Sequence, residues 1–143
     1  MVIAADTSFL FALYGNDCHS ETAARWIAAR TEPIWISAFN DFELRNALRF
    51  SEFSQRVATG TSSRQLGLFD RAIVAGRVIL RQPSLVLILA EANRLSLAHT
   101  LRGGHRSFDI LHVAATKVIG ALPGSWAWIP CLKNLAALRL CAR

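Results

Sequence analysis

The chain alternates short apolar segments with longer amphipathic ones, and this alternation limits the folds that it can adopt. Strands that alternate with helices form a parallel sheet that helices cover on both faces. The sequence therefore predicts an α/β fold with a short sheet. The predicted strands are residues 2–5, 34–36, 78–80 and 126–129, and the predicted helices are 17–30, 38–53, 61–75, 84–99 and 107–119, with a short helix after Pro130.

Length and composition indicate one globular domain spanning residues 1–143. An apolar content of 52% with 18% charged residues excludes a disordered chain. The longest aliphatic run, Leu85 to Ala90, is far short of the roughly 20 residues that span a bilayer, so no membrane association is expected. The opening MVIAAD lacks the basic segment of a signal peptide, and the three cysteines are scattered. We therefore expect a reducing, cytoplasmic setting.

The net charge of +6 is unevenly spread along the chain. Residues 1–43 carry two arginines and six acids, whereas residues 44–106 carry ten arginines and three acids. The guanidinium group of arginine suits phosphate and carboxylate partners. A basic middle section predicts a polyanionic partner, either a nucleic acid or an acidic protein segment, with a solvated helical surface as the simpler alternative.

Three acids occupy positions where parallel α/β proteins build their sites. Asp6 follows the first strand, Glu43 lies on the helix that begins after Ser37, and Asp109 lies in the first turn of the helix that Ser107 is predicted to cap. Each alone is explained by a turn, a solvated helix face or the helix dipole. Because ligands bind beyond the carboxyl ends of parallel strands, we expect the three to converge there. Clustered carboxylates need a cation, and an all-oxygen ligand set favours Mg²⁺ or Mn²⁺ over Zn²⁺.

Three motifs that carry these acids resemble those of PIN-domain nucleases. They are Asp6-Thr7-Ser8-Phe9-Leu10, then Ser37-x5-Glu43-Leu44-x2-Ala47-Leu48, and finally the segment from Arg106 to Ala114. Their order and spacing in a chain of this length are similar to those of VapC-type toxins. The resemblance implies a three-layer α/β/α PIN-like fold with a short, mainly parallel central sheet. It also implies a Mg²⁺-dependent endoribonuclease that uses a metal-activated water, forms a homodimer and is neutralised by a cognate antitoxin.

Other residues are predicted to support this chemistry. Thr7, Ser8, Ser37 and Asn46 are candidates to assist the acids, and Arg45, Arg102 and Arg106 are candidates to contact the RNA backbone. His105, Asp109 and His112 have a spacing that would suit zinc, although packed or solvated histidines are the simpler interpretation. We interpret His112 as a structural or supporting residue.

The chain departs from the PIN pattern near its end. Where the family usually has a fourth acid, Ile129 stands, and no acid follows Asp109. The alternative function is therefore a catalytically weak or inactive PIN-like module that binds RNA or a protein. A phosphotransfer enzyme with Asp6 as nucleophile would call for a second acid at position 8, where Ser8 stands.

Overall fold

The computed structural model describes residues 3–120, which form three strands and six helices. The strands are short and each of the last two is followed by a long helix, as the sequence predicts. In chain order the elements are β1 (Ile3–Ala4), α1 (Thr7–Gly15), α2 (Ser20–Ala28), β2 (Ile34–Ser37), α3 (Ala38–Phe53), α4 (Thr61–Val74), β3 (Val78–Arg81), α5 (Leu85–Gly103) and α6 (Ser107–Val118).

The three strands form a parallel sheet in the order β1-β2-β3. Ile3 pairs with Ile34, and Ile34 pairs in turn with Val78, so the apolar centres of the strands are aligned. All three side chains are buried. The predicted α/β class with a short parallel sheet is confirmed. The carboxyl ends of β1 and β2 lie side by side, which places the residues that follow them at one edge.

Two apolar clusters stabilise the described part of the chain. The first contains strand residues together with residues of the first four helices, and Leu10, Leu44 and Phe69 are fully buried in it. The second lies between α5 and α6 and is centred on Leu95 and Val113. Helix α6 also contacts β2, so the second cluster is held against the sheet. Burial of each large apolar side chain contributes roughly 1.5–3 kcal/mol to stability.

Helix α1 is an element that the sequence interpretation missed. Asp6-Thr7-Ser8 was expected to form only a polar turn, but Asp6 is the N-cap of a nine-residue helix. The error arises because apolar residues such as Phe9 and Leu10 occupy almost every face of this helix. A helix that is apolar all round has no amphipathic period, and it forms here because the core surrounds it.

Helix boundaries also differ from the expected ones. Arg106, and not Ser107, is the N-cap residue of α6, with the Asp109 carboxylate accepting a hydrogen bond from the backbone N–H of Arg106. Helix α5 continues to Gly103, four residues beyond the predicted end, and Gly104 terminates it with a positive φ of 63°. Helix α2 begins at Ser20 because Asp17 forms a turn with His19 before it.

The C-terminal predictions lie outside the described residues. These are the strand 126–129, the helix after Pro130 and the position of Ile129 relative to the site. Within residues 3–120, no helix is both long enough and apolar enough to cross a membrane.

Candidate active site

Asp6 lies directly beyond β1 and begins the site. Its carboxylate accepts hydrogen bonds from the backbone N–H of Phe9 at 2.9 Å and from the hydroxyl of Ser8 at 2.8 Å. Burial raises the pKa of Asp6 above its ordinary value, the two hydrogen bonds oppose this effect, and the nearby charge of Glu43 adds a small further increase. An ionised Asp6 is therefore costly unless a cation lies close to it.

Ser37 ends β2 and starts α3, as predicted. Its hydroxyl accepts the backbone N–H of Asn40 at 3.4 Å, and the side chain of Asn40 returns to the backbone N–H of Ser37 at 3.0 Å. This reciprocal pair is a capping box, which fixes the first turn of the helix. The helix then carries Glu43 back to the same edge of the sheet as Asp6.

Glu43 is held by two groups from other elements. Nε2 of His112 lies 2.8 Å from Oε2 of Glu43, and the hydroxyl of Thr7 also hydrogen-bonds this carboxylate. The hydrogen bond from His112 is the main reason that the pKa of Glu43 is lowered, and burial opposes it. His112 itself is only 6% exposed. Helices α1, α3 and α6 therefore meet at one carboxylate.

Asn40 is a site residue that the sequence interpretation missed. Its Nδ2 lies 3.2 Å from Nδ1 of His112 and 3.5 Å from Oγ1 of Thr7. The signal that was available is the spacing Ser37-x-x-Asn40, which is typical of a capping box, with Glu43 one turn later on the same face. That spacing predicts where Asn40 lies but not its partner on α6.

Asp109 is placed differently from the other two acids. It is exposed in the first turn of α6, where its carboxylate accepts the backbone N–H of Arg106 at 3.4 Å. Among residues 3–120, no three side chains of His, Cys, Asp or Glu lie together in a group that would hold a metal ion. The structure thus places Asp6 near Glu43, but Asp109 forms no such group with them. The same finding means that His105, Asp109 and His112 form no zinc cluster.

The remaining predicted residues fall into three groups. Thr7 and Ser8 contact the acids, as described above. Asn46 is exposed one turn after Glu43, and Arg102 and Arg106 are exposed at the end of α5 and the start of α6. Arg45 instead lies between two acids, at 2.9 Å from Asp41 and 2.6 Å from Asp70.

The side chains at the sheet edge suit a hard cation. Asp6 and Glu43 offer carboxylate oxygens, and Mg²⁺ is commonly bound through one or two carboxylates, with waters and substrate phosphates completing its shell. Because burial raises the pKa of Asp6, a cation beside it would favour its ionised form. The chemistry of these two donors is therefore of the kind that such an ion takes.

Comparison with known proteins supports the architecture. No family model and no curated protein matches the chain. Among solved structures, the chain is similar to VapC20 of Mycobacterium tuberculosis, a sarcin–ricin loop cleaving toxin. The two are 21% identical, the match covers 82% of this chain and 83% of that one, and the TM-score is 0.60. The chain therefore has the PIN-like α/β fold of this toxin.

Proposed function

We propose that the protein is a metal-dependent endoribonuclease toxin that a cognate antitoxin neutralises. The observation that carries the proposal is the position of two held carboxylates near the carboxyl edge of the sheet, Asp6 beyond β1 and Glu43 on α3, in a fold shared with an RNA-cleaving toxin. Paired carboxylates beside an arginine-rich surface suit the hydrolysis of phosphodiester bonds.

The acids have distinct roles in this proposal. Asp6 and Glu43 hold Mg²⁺, with Mn²⁺ as a substitute, and Asp109 contributes when α6 and bound RNA bring its exposed carboxylate to the edge. When bound, Mg²⁺ supplies the positive charge that activates a water molecule and offsets charge on the phosphate. The Ser8 hydroxyl and the Phe9 N–H orient Asp6. His112 and Thr7 orient Glu43.

Arginines beside Asp109 contact the RNA backbone in this proposal. Arg102 and Arg106 are exposed on either side of the turn that leads into α6, where Asp109 lies. Such contacts position the phosphates without reading base identity. Arg45 remains a candidate, although its guanidinium group is engaged by Asp41 and Asp70.

The proposed substrate class is structured RNA with exposed loops. VapC20 cleaves the sarcin–ricin loop, and proteins usually recognise RNA sequence in loops with splayed bases. A sarcin–ricin loop oligonucleotide is therefore the first defined substrate to test beside a mixed RNA pool.

The proposal also includes protein partners in a cytoplasmic setting. An acidic segment of the antitoxin would complement the basic residues of the middle section. A homodimer is favoured by the apolar side chains that α5 leaves exposed. Val86, Leu97 and Leu101 share one face of this helix, and Leu97 and Leu101 are 87% and 98% exposed. Apolar faces of this kind commonly mark protein–protein contacts.

The test is cleavage of both RNAs by the purified protein with Mg²⁺, with Mn²⁺ and with EDTA. Asp6→Asn and Asp109→Asn are the variants, and Glu21→Gln, an exposed acid on α2, is the matched control. We expect metal-dependent cutting by the wild type and the control, and loss of cutting in both variants.

Two results would contradict the proposal. Cutting that survives in Asp6→Asn would indicate a contaminating nuclease or another site. No cutting by folded, partner-free protein across the RNAs would favour the alternative, a PIN-like module that binds RNA or protein without cleaving.

A further inference from the structure

Asn40 occupies a buried position from which it reaches three other side chains. It is only 3% exposed, so its polar atoms depend on partners within the protein. Its Oδ1 accepts the backbone N–H of Ser37 at 3.0 Å and the hydroxyl of Ser37 at 2.7 Å. A backbone N–H only donates, so the atom that faces it must be the amide oxygen. The orientation of the Asn40 amide is therefore determined by the helix cap.

The opposite end of this amide is an NH₂ group, which only donates. It lies 3.2 Å from Nδ1 of His112, so Nδ1 accepts and carries no hydrogen. In a neutral imidazole the hydrogen is then on Nε2, which is the atom 2.8 Å from Oε2 of Glu43. His112 therefore donates to the carboxylate and does not compete with it for a proton.

The same amide also reaches Thr7. Nδ2 of Asn40 lies 3.5 Å from Oγ1 of Thr7, whose hydroxyl hydrogen-bonds Glu43. An oxygen that accepts from Asn40 has its own hydrogen free for the carboxylate. Both donors to Glu43 thus take their direction from one amide.

We propose that Asn40 is a positioning residue, which sets the direction of the hydrogen bonds from His112 and Thr7 and so holds the Glu43 carboxylate in one orientation beside Asp6. Its effect on RNA cleavage rests on the proposed function, whereas its effect on the His112 tautomer does not. A ligand carboxylate held by fixed donors keeps its oxygens in place, and loss of such support commonly lowers activity about 10- to 100-fold.

The deciding variant is Asn40→Asp. It keeps the size of the side chain and an oxygen for the two Ser37 donors, so the cap of α3 is retained. It replaces the NH₂ group by a second acceptor, which faces Nδ1 of His112. We expect a hydrogen to appear on Nδ1. The matched control is Asn93→Asp, which introduces the same charge at an exposed position of α5.

The direct readout is ¹⁵N NMR of histidine-labelled, metal-free protein at neutral pH, with the His112 signals assigned from their absence in His112→Gln. We expect hydrogen on Nε2 alone in the wild type and in Asn93→Asp, and hydrogen on Nδ1 in Asn40→Asp. Hydrogen on Nδ1 in the wild type, or an unchanged tautomer in Asn40→Asp, would overturn the proposal. None of these outcomes depends on RNA cleavage.

Cleavage kinetics provide the second readout. We expect kcat of Asn40→Asp to fall about 10- to 100-fold with little change in KM, because the scaffold and the arginine surface are retained. A normal kcat together with the altered tautomer would overturn the positioning role. If the wild type cuts no RNA, the proposed function fails, while the tautomer data still decide whether Asn40 directs His112.

A double variant guards against loss of folding in Asn40→Asp. In a neutral imidazole with hydrogen on Nδ1, Nε2 of His112 becomes an acceptor, and the amide of Glu43→Gln donates to it. The unfolding temperature of the Asn40→Asp, Glu43→Gln double variant should therefore be higher than the sum of the changes in the two single variants predicts. Simple additivity would show that positions 40 and 43 are not linked through His112, and would contradict the proposal.

Discussion

His112 on α6 donates a hydrogen bond from Nε2 to Oε2 of Glu43 on α3, across a distance of 2.8 Å. This bond links two helices that are far apart in the chain, at the point where a second carboxylate, Asp6, lies nearby. The two acids consequently experience opposite environments. Glu43 is stabilised in its ionised form by its partners, whereas Asp6 is destabilised in its ionised form by burial.

Neutral replacements of the two acids should change stability in opposite directions. Asp6→Asn keeps an oxygen for the helix cap and removes a charge that burial disfavours, so we expect a gain in stability at neutral pH. Glu43→Gln removes a charge that His112 stabilises. Glu43→Gln should lower the free energy of unfolding by less than about 1 kcal/mol, because the Glu43 side chain is 40% exposed and water screens the interaction. Urea unfolding of metal-free protein measures both.

The pH dependence distinguishes these effects from simple packing changes. The pKa of Asp6 in the folded protein lies above 3.8, its ordinary value, so the folded state binds more protons than the unfolded chain between these two values. Stability therefore falls as pH rises from 3.8 to the folded pKa. The gain in Asp6→Asn should therefore vanish below pH 3.8. The folded pKa of Glu43 lies below 4.5, so its contribution is present above pH 4.5 and is lost as pH falls through the folded pKa. A gain in Asp6→Asn that is constant with pH would contradict the assigned cause.

The positions of Asp6 and Glu43 were predictable because their local sequence settles them. A buried strand that ends in a polar residue places Asp6 at the sheet edge, and a capped helix carries Glu43 back to it. The contact between His112 and Asn40 was not predictable in this way. It depends on how α6 packs against α3, which is determined by apolar contacts from many parts of the chain.

The elements of the fold likewise divide into those that the local sequence predicts and those that it does not. Pro33 and Pro83 interrupt the periodic pattern and mark the approaches to β2 and α5, so those elements were located correctly. Helix α1 was missed because Phe9 and Leu10 belong to a run without a polar face, and only the surrounding core distinguishes a helix from a strand there. Local pattern therefore predicts amphipathic elements well and fully buried ones poorly.

Glu91 should make the contact between α5 and α6 sensitive to acid. Its carboxylate pairs with Arg94 at 2.7 Å and with Lys117 of α6 at 3.2 Å, and the hydrogen bonds from Arg94 lower its pKa to about 2. The stabilisation is full above pH 4.5 and is lost as pH falls from 4.5 to about 2. We expect Glu91→Gln to lose about 1 kcal/mol at pH 7, because both pairs are partly exposed.

The control for that experiment is Glu21→Gln, whose partner Arg25 lies 3.9 Å away on an exposed helix face. We expect no measurable change in its urea midpoint. Equal losses in the two variants, or a loss in Glu91→Gln that persists at pH 2, would show that the paired charge is not the cause.

The exposed face of α5 should control self-association. A charge at Leu97, which is 87% exposed, is expected to cost the monomer little, because exposed positions tolerate polar residues. It would be costly in an apolar interface. Leu97→Glu should therefore convert a dimer to a monomer, as measured by light scattering across a range of concentrations. The control is Thr22→Glu, which introduces the same charge at an exposed position of α2. If both variants keep the wild-type mass, the dimer uses another surface.

Divalent metal should bind through Asp6 and Glu43 even without RNA. Calorimetric titration with Mn²⁺ is expected to show binding by the wild type and by Glu21→Gln, and none by Asp6→Asn or Glu43→Gln. Asp109→Asn should weaken Mn²⁺ binding less than either, because its exposed carboxylate accepts the backbone N–H of Arg106 and forms no group with Asp6 and Glu43 among the described residues. Asp109→Asn would then lose more cleavage activity than metal affinity. Such a difference would show that Asp109 acts when RNA is bound. If Asp109→Asn abolishes Mn²⁺ binding as completely as Asp6→Asn does, all three acids bind the ion together before RNA arrives, and the Asp109 side chain turns towards Glu43 when metal is added.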